Sequence, residues 1–372
     1  MQEIYVDEAG RLDIFLAKCL QKSRSQVAQL IKNGGVKCNG VSCEKNSFKL
    51  KMGDKLEVIE FALNFAAQNL APNFTQNLTN QNSKPNFSPQ NFTPNFALKY
   101  PINFDIAVLY EDSEVLVLNK PAGVVVHSAP SVREATLVDW LLAKGYALSN
   151  LGGQLRAGLV HRLDKGTSGA LIIAKNNAAH ESLCKQLQNR ALGRFYLALT
   201  DLPLKEDIIC VEKPLIHCPK NRLKKLAVSG FVRGARTAKT AFANVLCGRD
   251  FGLNSTKNSN PNSNPNLNKI LNINLIAAKL FTGRTHQIRA HLESLNRHIL
   301  GDKLYGYKGK DYERVMLHAY FLYFTHPKTG EEMLVKAPLF EDFKQILNHF
   351  DEGELYEKLS ATYIKRLFSA VS

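Results

Sequence analysis

Between Asn64 and Tyr100 the sequence is built from Asn, Pro and Phe with little charge, and Pro-Asn-Phe recurs at 72–74, 85–87 and 94–96. A stretch with neither helical nor alternating apolar spacing cannot present a face to a core, so no single core runs through the whole chain. It reads as a tether, although the repeated Phe would also suit a partner-docking motif. A second segment, Gly252 to Leu267, is almost wholly Asn, Ser and Pro, and it interrupts two apolar stretches that look like neighbours in one sheet. It reads as a surface loop insertion.

With 372 residues, two folded units are expected. The divisions are a module over 1–61, a linker over 62–101, a main body over 102–351 with its insertion at 252–269, and a C-terminal extension over 352–372. In the module, Leu12, Phe15, Leu16 and Leu20 fall at helical spacing, and Ser23 opens a second helix through Val27, Leu30 and Ile31 that Gly34-Gly35 ends. Val36-Lys37-Cys38 and Lys55 to Ile59 alternate like strands, and Asn39-Gly40 signals a tight turn.

In the body, strands are expected at Ala107–Tyr110, Val115–Leu118, Val124–His127, Ala170–Ala174, Phe195–Thr200, Ala238–Leu246 and Ile273–Leu280. Helices are expected at Leu137–Leu142, at Asn176–Arg190 and from about Thr285. This order does not repeat as strand-helix-strand units, so the fold class is α+β with a mixed sheet and flanking helices.

A net charge of +15, from 48 Lys+Arg against 33 Asp+Glu, suits a polyanionic partner, either nucleic acid or an anionic membrane surface. No apolar run is long enough to span a bilayer and the N-terminus lacks a signal-peptide pattern, so a cytoplasmic protein is expected. The seven cysteines are scattered and form no C-x-x-C pair, which reads as reduced, mostly packed thiols without a metal site.

The segment from Gly158 to Lys175 packs charge and glycine (His161, Arg162, Asp164, Lys165, Gly166, Gly169) between two apolar strands. Charge on a loop held by strands is a common way to build an active site. An ordinary turn in which Asp164 caps the backbone or pairs with Lys165 fits the same residues, and composition does not choose between the two.

The run His161-Arg162-Leu163-Asp164-Lys165-Gly166-Thr167-Ser168-Gly169 resembles the signature of the RluA family of pseudouridine synthases. Asn119 to His127 is similar to the family's opening segment, and Thr282-Gly283-Arg284-Thr285-His286-Gln287-Ile288-Arg289 to its later one. Gly301 to Gly306, Leu317-His318-Ala319 and His326 to Glu331 extend the likeness, and residues 11–59 look like an S4 RNA-binding domain of two helices and a small sheet. The departures are small: Gly166 stands where an acidic residue is common, and Phe242 where a tyrosine is.

The resemblance implies a pseudouridine synthase core with a largely antiparallel mixed sheet, acting on uridine in structured RNA without metal or cofactor. It gives Asp164 the catalytic role, as nucleophile at ribose C1′ or base at C2′, Arg284 that of its cationic partner, and Tyr196 that of the aromatic stacked on uracil. It lets Arg162 fill the space left by a flipped nucleotide. An S4 module joined to this core is most similar to members that modify large-subunit rRNA, so rRNA or a pre-ribosomal particle is the expected partner of a monomer. A tRNA target and an inert RNA-binding assembly factor stand as alternatives. His161, beside strand ends, reads as structural, and His286 and His291 lack metal-site spacing.

Further RNA contacts are expected from Arg11 and Arg24 of the module, and Arg289, one helical turn beyond the later motif's first residues, reads as a phosphate or structural contact. From Lys220 to Lys239 every charged residue is a cation, including Arg222, Lys224, Lys225 and Arg236. That run reads as a basic arm whose phosphate contacts make binding salt-dependent. By flexible-chain scaling the tether, about 35 residues, spans roughly 30 to 35 Å.

Overall fold

The computed structural model describes residues 2–20, 24–32, 34–59, 99–248 and 273–371. They fall into two compact units, one within Met1–Phe96 and the other within Ala97–Ser372. The linker and loop-insertion readings, and Ser23, lie outside the described residues.

In the first unit, strands β1 (Gln2–Tyr5), β2 (Gly10–Arg11), β3 (Val36–Cys38), β4 (Val41–Ser42), β5 (Lys49–Leu50) and β6 (Lys55–Val58) surround helices α1 (Leu12–Cys19) and α2 (Arg24–Lys32). Leu12, Phe15 and Leu16 of α1 and Val27, Leu30 and Ile31 of α2 are buried at the spacing of one helical face. They pack with Val36, Leu56 and Val58 of the sheet β1-β6-β3-β4. Between β3 and β4, Asn39 (φ 51°) and Gly40 (φ 81°) form the turn, since both residues of such a two-residue loop need positive φ.

The second unit holds β7 (Ala107–Glu111), β8 (Val115–Lys120), β9 (Ser168–Ala174), β10 (Gly193–Thr200), β11 (Ile208–Val211), β12 (Leu215–His217), β13 (Lys225–Ala227), β14 (Thr240–Leu246), β15 (Asn274–Leu280), β16 (Leu317–Thr325) and β17 (Glu332–Lys336). Its helices are α3 (Leu137–Ala143), α4 (Asn177–Gln188), α5 (Gln287–Glu293), α6 (Glu341–Leu347), α7 (Glu352–Lys358) and α8 (Ala361–Leu367). Among the described residues the main sheet runs β11-β14-β15-β10-β16-β9-β8-β7, with β17 also paired to β16. All its strand pairs are antiparallel except β9 with β16.

Both faces of this sheet are covered. Leu116, Leu118, Leu171 and Ile173 face a core shared with Trp140 of α3 and Phe343 of α6. Their neighbours Val115, Val117, Ile172 and Ala174 face a second core with Leu183 of α4 and Phe324, as the two-residue period of strands requires. Strands buried on both sides explain why the sequence shows continuous apolar runs here. Leu359, Ile364 and Phe368 join the first core, so the segment read as a C-terminal extension contributes to the packing of the body.

Two expectations change. Val124 to His127 is not a strand: the carbonyl of Val124 is taken by Lys120 Nζ, and those of Val125 and Val126 accept from the first backbone N–H groups of α3. The thiols are only partly packed, with Cys38 and Cys43 buried but Cys19, Cys210 and Cys247 exposed. No helix among the described residues is long and apolar enough to cross a membrane.

Candidate active site

Asp164 sits in the loop leading into β9, with Thr167 N–H closing a turn onto its carbonyl. The loop is laced to the turn after β8. Gly123 N–H donates to the Lys165 carbonyl at 2.8 Å, and Lys120 Nζ donates to the carbonyls of Pro121, Val124 and Lys165 at 2.7, 2.9 and 3.4 Å. Lys120 has no exposed surface. Burial brings its ammonium down to about 7, with Asp164 opposing that shift and Arg314 adding to it. The Lys165 ammonium pairs with Glu134 at 2.7 Å, so the reading of Asp164 as a turn aspartate neutralised by its neighbour loses its partner.

Gly169 explains the glycine that closes the motif. Its φ is +111°, and a Cβ there would lie 2.3 Å from the Ala319 carbonyl oxygen. At this point β9 runs parallel to β16, with Ser168 opposite His318 and Gly169 opposite Ala319. Only a residue without a side chain lets the strand leave the loop there.

Asp164, Arg162, Tyr196, Arg284 and His286 line one pocket of about 270 Å³. That is slightly under the roughly 300 Å³ at which small-molecule pockets typically begin. Tyr196 lies on β10, at a register shift against β16 that falls between Phe195 and itself. Both rings are buried, Phe195 against Tyr323 and Phe368, while Tyr196 reaches the pocket wall. Burial pushes the Tyr196 phenol up.

Arg284 lies in the turn between β15 and α5, solvent-exposed, with Nε donating to the Thr237 carbonyl at 3.1 Å. It lines the same pocket as Asp164, but the two form no ion pair within 4.0 Å among the described residues. The turn is held by buried Gln287, whose Oε1 accepts from Arg284 N–H and Thr282 Oγ1 and whose Nε2 donates to the Lys239 carbonyl and Thr240 Oγ1. The basic side chain within 4.0 Å of the Asp164 carboxylate is instead His286, whose Nε2 lies 4.0 Å from Oδ2. His286 adopts φ 58° at the start of α5, a left-handed conformation unusual for a residue other than glycine.

Arg194, two residues before Tyr196, also lines the pocket. It is 6% exposed, its NH1 lies 2.6 Å from His161 Nδ1, and its Nε has no hydrogen-bond partner among the described residues. Burial and then Arg194 hold His161 well below the usual imidazole range, which makes it a neutral acceptor. Arg194, His286, Gln287 and Lys120 were not singled out from sequence as site residues.

The expected RNA contacts separate into groups. Arg162 is exposed at the pocket. Arg11 and Arg24 share Asp13 at 3.0 and 2.6 Å while about half their side-chain surface stays open. Burial would raise the Asp13 carboxyl, but hydrogen bonds from both arginines hold it below its usual range. On the basic arm, Arg222 and Arg236 are exposed, whereas Lys224 Nζ pairs with Glu293 and Lys225 Nζ lies 2.6 Å from His217 Nε2. Arg289 is buried and bound through two nitrogens to Asp302, which favours the structural of its two readings over a phosphate contact. No cluster of three or more His, Cys, Asp or Glu side chains suited to a metal occurs among the described residues.

Residues 114–294 match the family described as RNA pseudouridylate synthase, and residues 10–56 match the S4 domain. A Helicobacter pylori protein named as an uncharacterized RNA pseudouridine synthase is 42% identical over the full length of both chains. The ribosomal large subunit pseudouridine synthase D of Neisseria meningitidis is 34% identical, covering 91% of this chain and 78% of its own. Among solved structures, human RNA pseudouridylate synthase domain containing 1 superposes with a TM-score of 0.50 at 22% identity, covering 69% of this chain and 95% of its own.

Proposed function

Since this chain belongs to the RNA pseudouridylate synthase family and carries an S4 domain, it is an RNA pseudouridine synthase, and we propose that its substrate is large-subunit ribosomal RNA with Asp164 as the catalytic group. The reaction breaks the bond between ribose C1′ and uracil N1, turns the detached base, and joins C1′ to C5. The proton leaving C5 is balanced by one taken up at N1, so the product is an isomer and no electrons are exchanged.

The observation that carries the assignment of Asp164 is its place in one pocket with Tyr196 and Arg284, three groups that come from three separate segments of the sequence. A carboxylate there acts either as nucleophile at C1′ or as base at C2′. The wall of the pocket offers Tyr196 as an aromatic face for the base. Arg284, exposed at the rim, supplies positive charge to a carboxylate that RNA binding would desolvate. The exposure of Arg162 at the pocket supports a role for it in filling the gap in a helix from which a nucleotide has swung out.

The target rests on the relatives. Two bear the name ribosomal large subunit pseudouridine synthase D, each 34% identical to this chain. Recognition of the RNA backbone falls to the exposed cations Arg11 and Arg24 of the S4 domain and Arg222 and Arg236 of the basic arm.

The test is a map of pseudouridines at single-nucleotide resolution in total RNA from cells with and without the gene, complemented by wild-type protein or by Asp164→Asn. Loss of sites in large-subunit rRNA that wild type restores and Asp164→Asn does not is the expected result. Loss confined to tRNA would replace the target and keep the chemistry, whereas restoration by Asp164→Asn would remove Asp164 from its role.

A further inference from the structure

His286 stands between Asp164 and Tyr305, whose hydroxyl is hydrogen-bonded to the backbone of the basic arm. The Tyr305 hydroxyl oxygen accepts from Lys225 N–H on β13 at 2.8 Å, and the same hydroxyl lies 3.1 Å from His286 Nδ1. On the far side of the imidazole, Nε2 faces Asp164 Oδ2.

The proton positions follow from what each group can donate. Lys225 N–H is a donor only, so it fixes the Tyr305 oxygen as its acceptor and leaves the hydroxyl hydrogen free for His286 Nδ1. Burial pushes the Tyr305 phenol far up, keeping it protonated and able to donate. Burial also lowers His286, with Asp164 and Asp302 opposing and Arg289 and Arg162 adding to the shift, so the ring is neutral. A neutral imidazole that accepts at Nδ1 carries its one hydrogen on Nε2, which here points at the carboxylate.

We infer that His286 is a positioning residue for Asp164: Tyr305 sets its tautomer, and the resulting Nε2–H donor orients the carboxylate for reaction while tying it to the arm on which RNA docks. The inference rests on Asp164 being the catalytic group. The left-handed backbone of His286 supports the assignment, since φ 58° at a non-glycine residue is strained and such strain persists where surrounding structure enforces it. The ring of Tyr305 is fixed in turn by Arg289, 4.7 Å from its centroid, and by Lys224 at 5.1 Å. Movement of the arm therefore reaches Asp164 through two hydrogen bonds and one close approach. At 4.0 Å the last contact is longer than a hydrogen bond, and the inference requires it to shorten in the RNA complex.

The test uses the full-length protein in excess over total RNA from cells lacking the gene, with conversion read at mapped sites under single-turnover conditions and RNA affinity measured separately. His286→Ala should slow conversion on the order of 10²-fold at saturating enzyme, the scale of a misplaced reacting group, while the dissociation constant changes less than about threefold, equivalent to about 0.7 kcal/mol. His286→Gln, which restores an N–H near the place of Nε2, should recover most of the rate. Tyr305→Phe should slow the wild-type background about tenfold and have little effect in the His286→Gln background, because an amide has no tautomer to set; a purely structural tyrosine would harm both equally. Wild-type conversion rates in His286→Ala or in Tyr305→Phe, or equal losses from Tyr305→Phe in both backgrounds, overturn the inference. Asp164→Asn is run alongside: conversion lost there but kept in His286→Ala overturns this inference alone, and conversion kept in Asp164→Asn overturns the underlying reading and this one with it.

Discussion

Arg289 and Asp302 meet through two hydrogen bonds of 2.7 Å, with the arginine side chain 10% and the aspartate 1% exposed. Asp302 also accepts from Tyr305 N–H at 3.3 Å, so the pair fixes the short turn that carries Tyr305. Removing the cation leaves a buried carboxylate without its partner, which typically costs about 3 to 5 kcal/mol. Arg289→Ala is expected to lower the unfolding free energy, measured by thermal or urea denaturation, by that amount. The salt dependence of RNA binding by the folded fraction should be unaltered, because the guanidinium is not offered to phosphate. A smaller salt slope with unchanged stability would return Arg289 to the RNA-binding set.

Gly169→Ala should be more harmful than a one-carbon change suggests. The new Cβ would fall 2.3 Å from one backbone atom of Ala319 and 2.6 Å from another, and backbone cannot swing away as a flexible side chain can. Left-handed strain and overpacking each contribute about 1 to 3 kcal/mol. A destabilisation of about 3 kcal/mol or more is expected in chemical denaturation, with lost conversion even where the protein folds, since the strand that would shift carries the loop of Asp164.

Some of this was legible in the sequence and some was not, for identifiable reasons. The Asp164 loop stood out because charge and glycine between apolar runs are a local pattern. Lys224 reads as free because its partner Glu293 lies on α5, and Arg289 stays open between a phosphate and a structural contact because Asp302 lies beyond the end of α5. Val124 to His127 has the β-branched composition of a strand, yet its carbonyls are occupied by Lys120 and the start of α3, a tertiary competition that no periodicity records. His286 was weighed only as a metal ligand, because its relation to Tyr305 and Asp164 exists only once three separate segments meet. Arg194 sits among strand residues and carries no mark of facing a pocket.

On the basic arm Lys224 is paired with Glu293 while Arg222 and Arg236 are exposed, and this redirects a prediction. Changing Arg222 and Arg236, both exposed, to Ala should reduce the slope of log affinity against log salt by about 0.7 to 1 per residue. Lys224→Ala should change the slope less and stability more, because its ammonium is paired with Glu293 and lies over Tyr305. Binding measured from low to moderate salt decides the matter: equal slopes for Arg222→Ala and wild type would detach the arm from phosphate.

Asp112 gives the body a defined acid sensitivity. Burial would raise its carboxyl, but the backbone N–H groups of Val115 and Glu114, the Tyr110 hydroxyl and His326 outweigh burial and hold it down to about 2. His326 Nε2 lies 2.6 Å from Oδ2, joining the turn after β7 to the turn after β16. A carboxyl lowered on folding adds stability that is fully present above its unfolded value near 4 and is lost as pH falls through the folded value. The span of about two units, reduced by solvent because 27% of the side chain is exposed, corresponds to about 1 to 2 kcal/mol. Asp112→Asn is therefore expected to be less stable than wild type at pH 6 by about that amount and to close the gap between pH 4 and pH 2. A constant difference across that window, measured by urea unfolding, would mean that the aspartate acts through its shape and neutral hydrogen bonds alone.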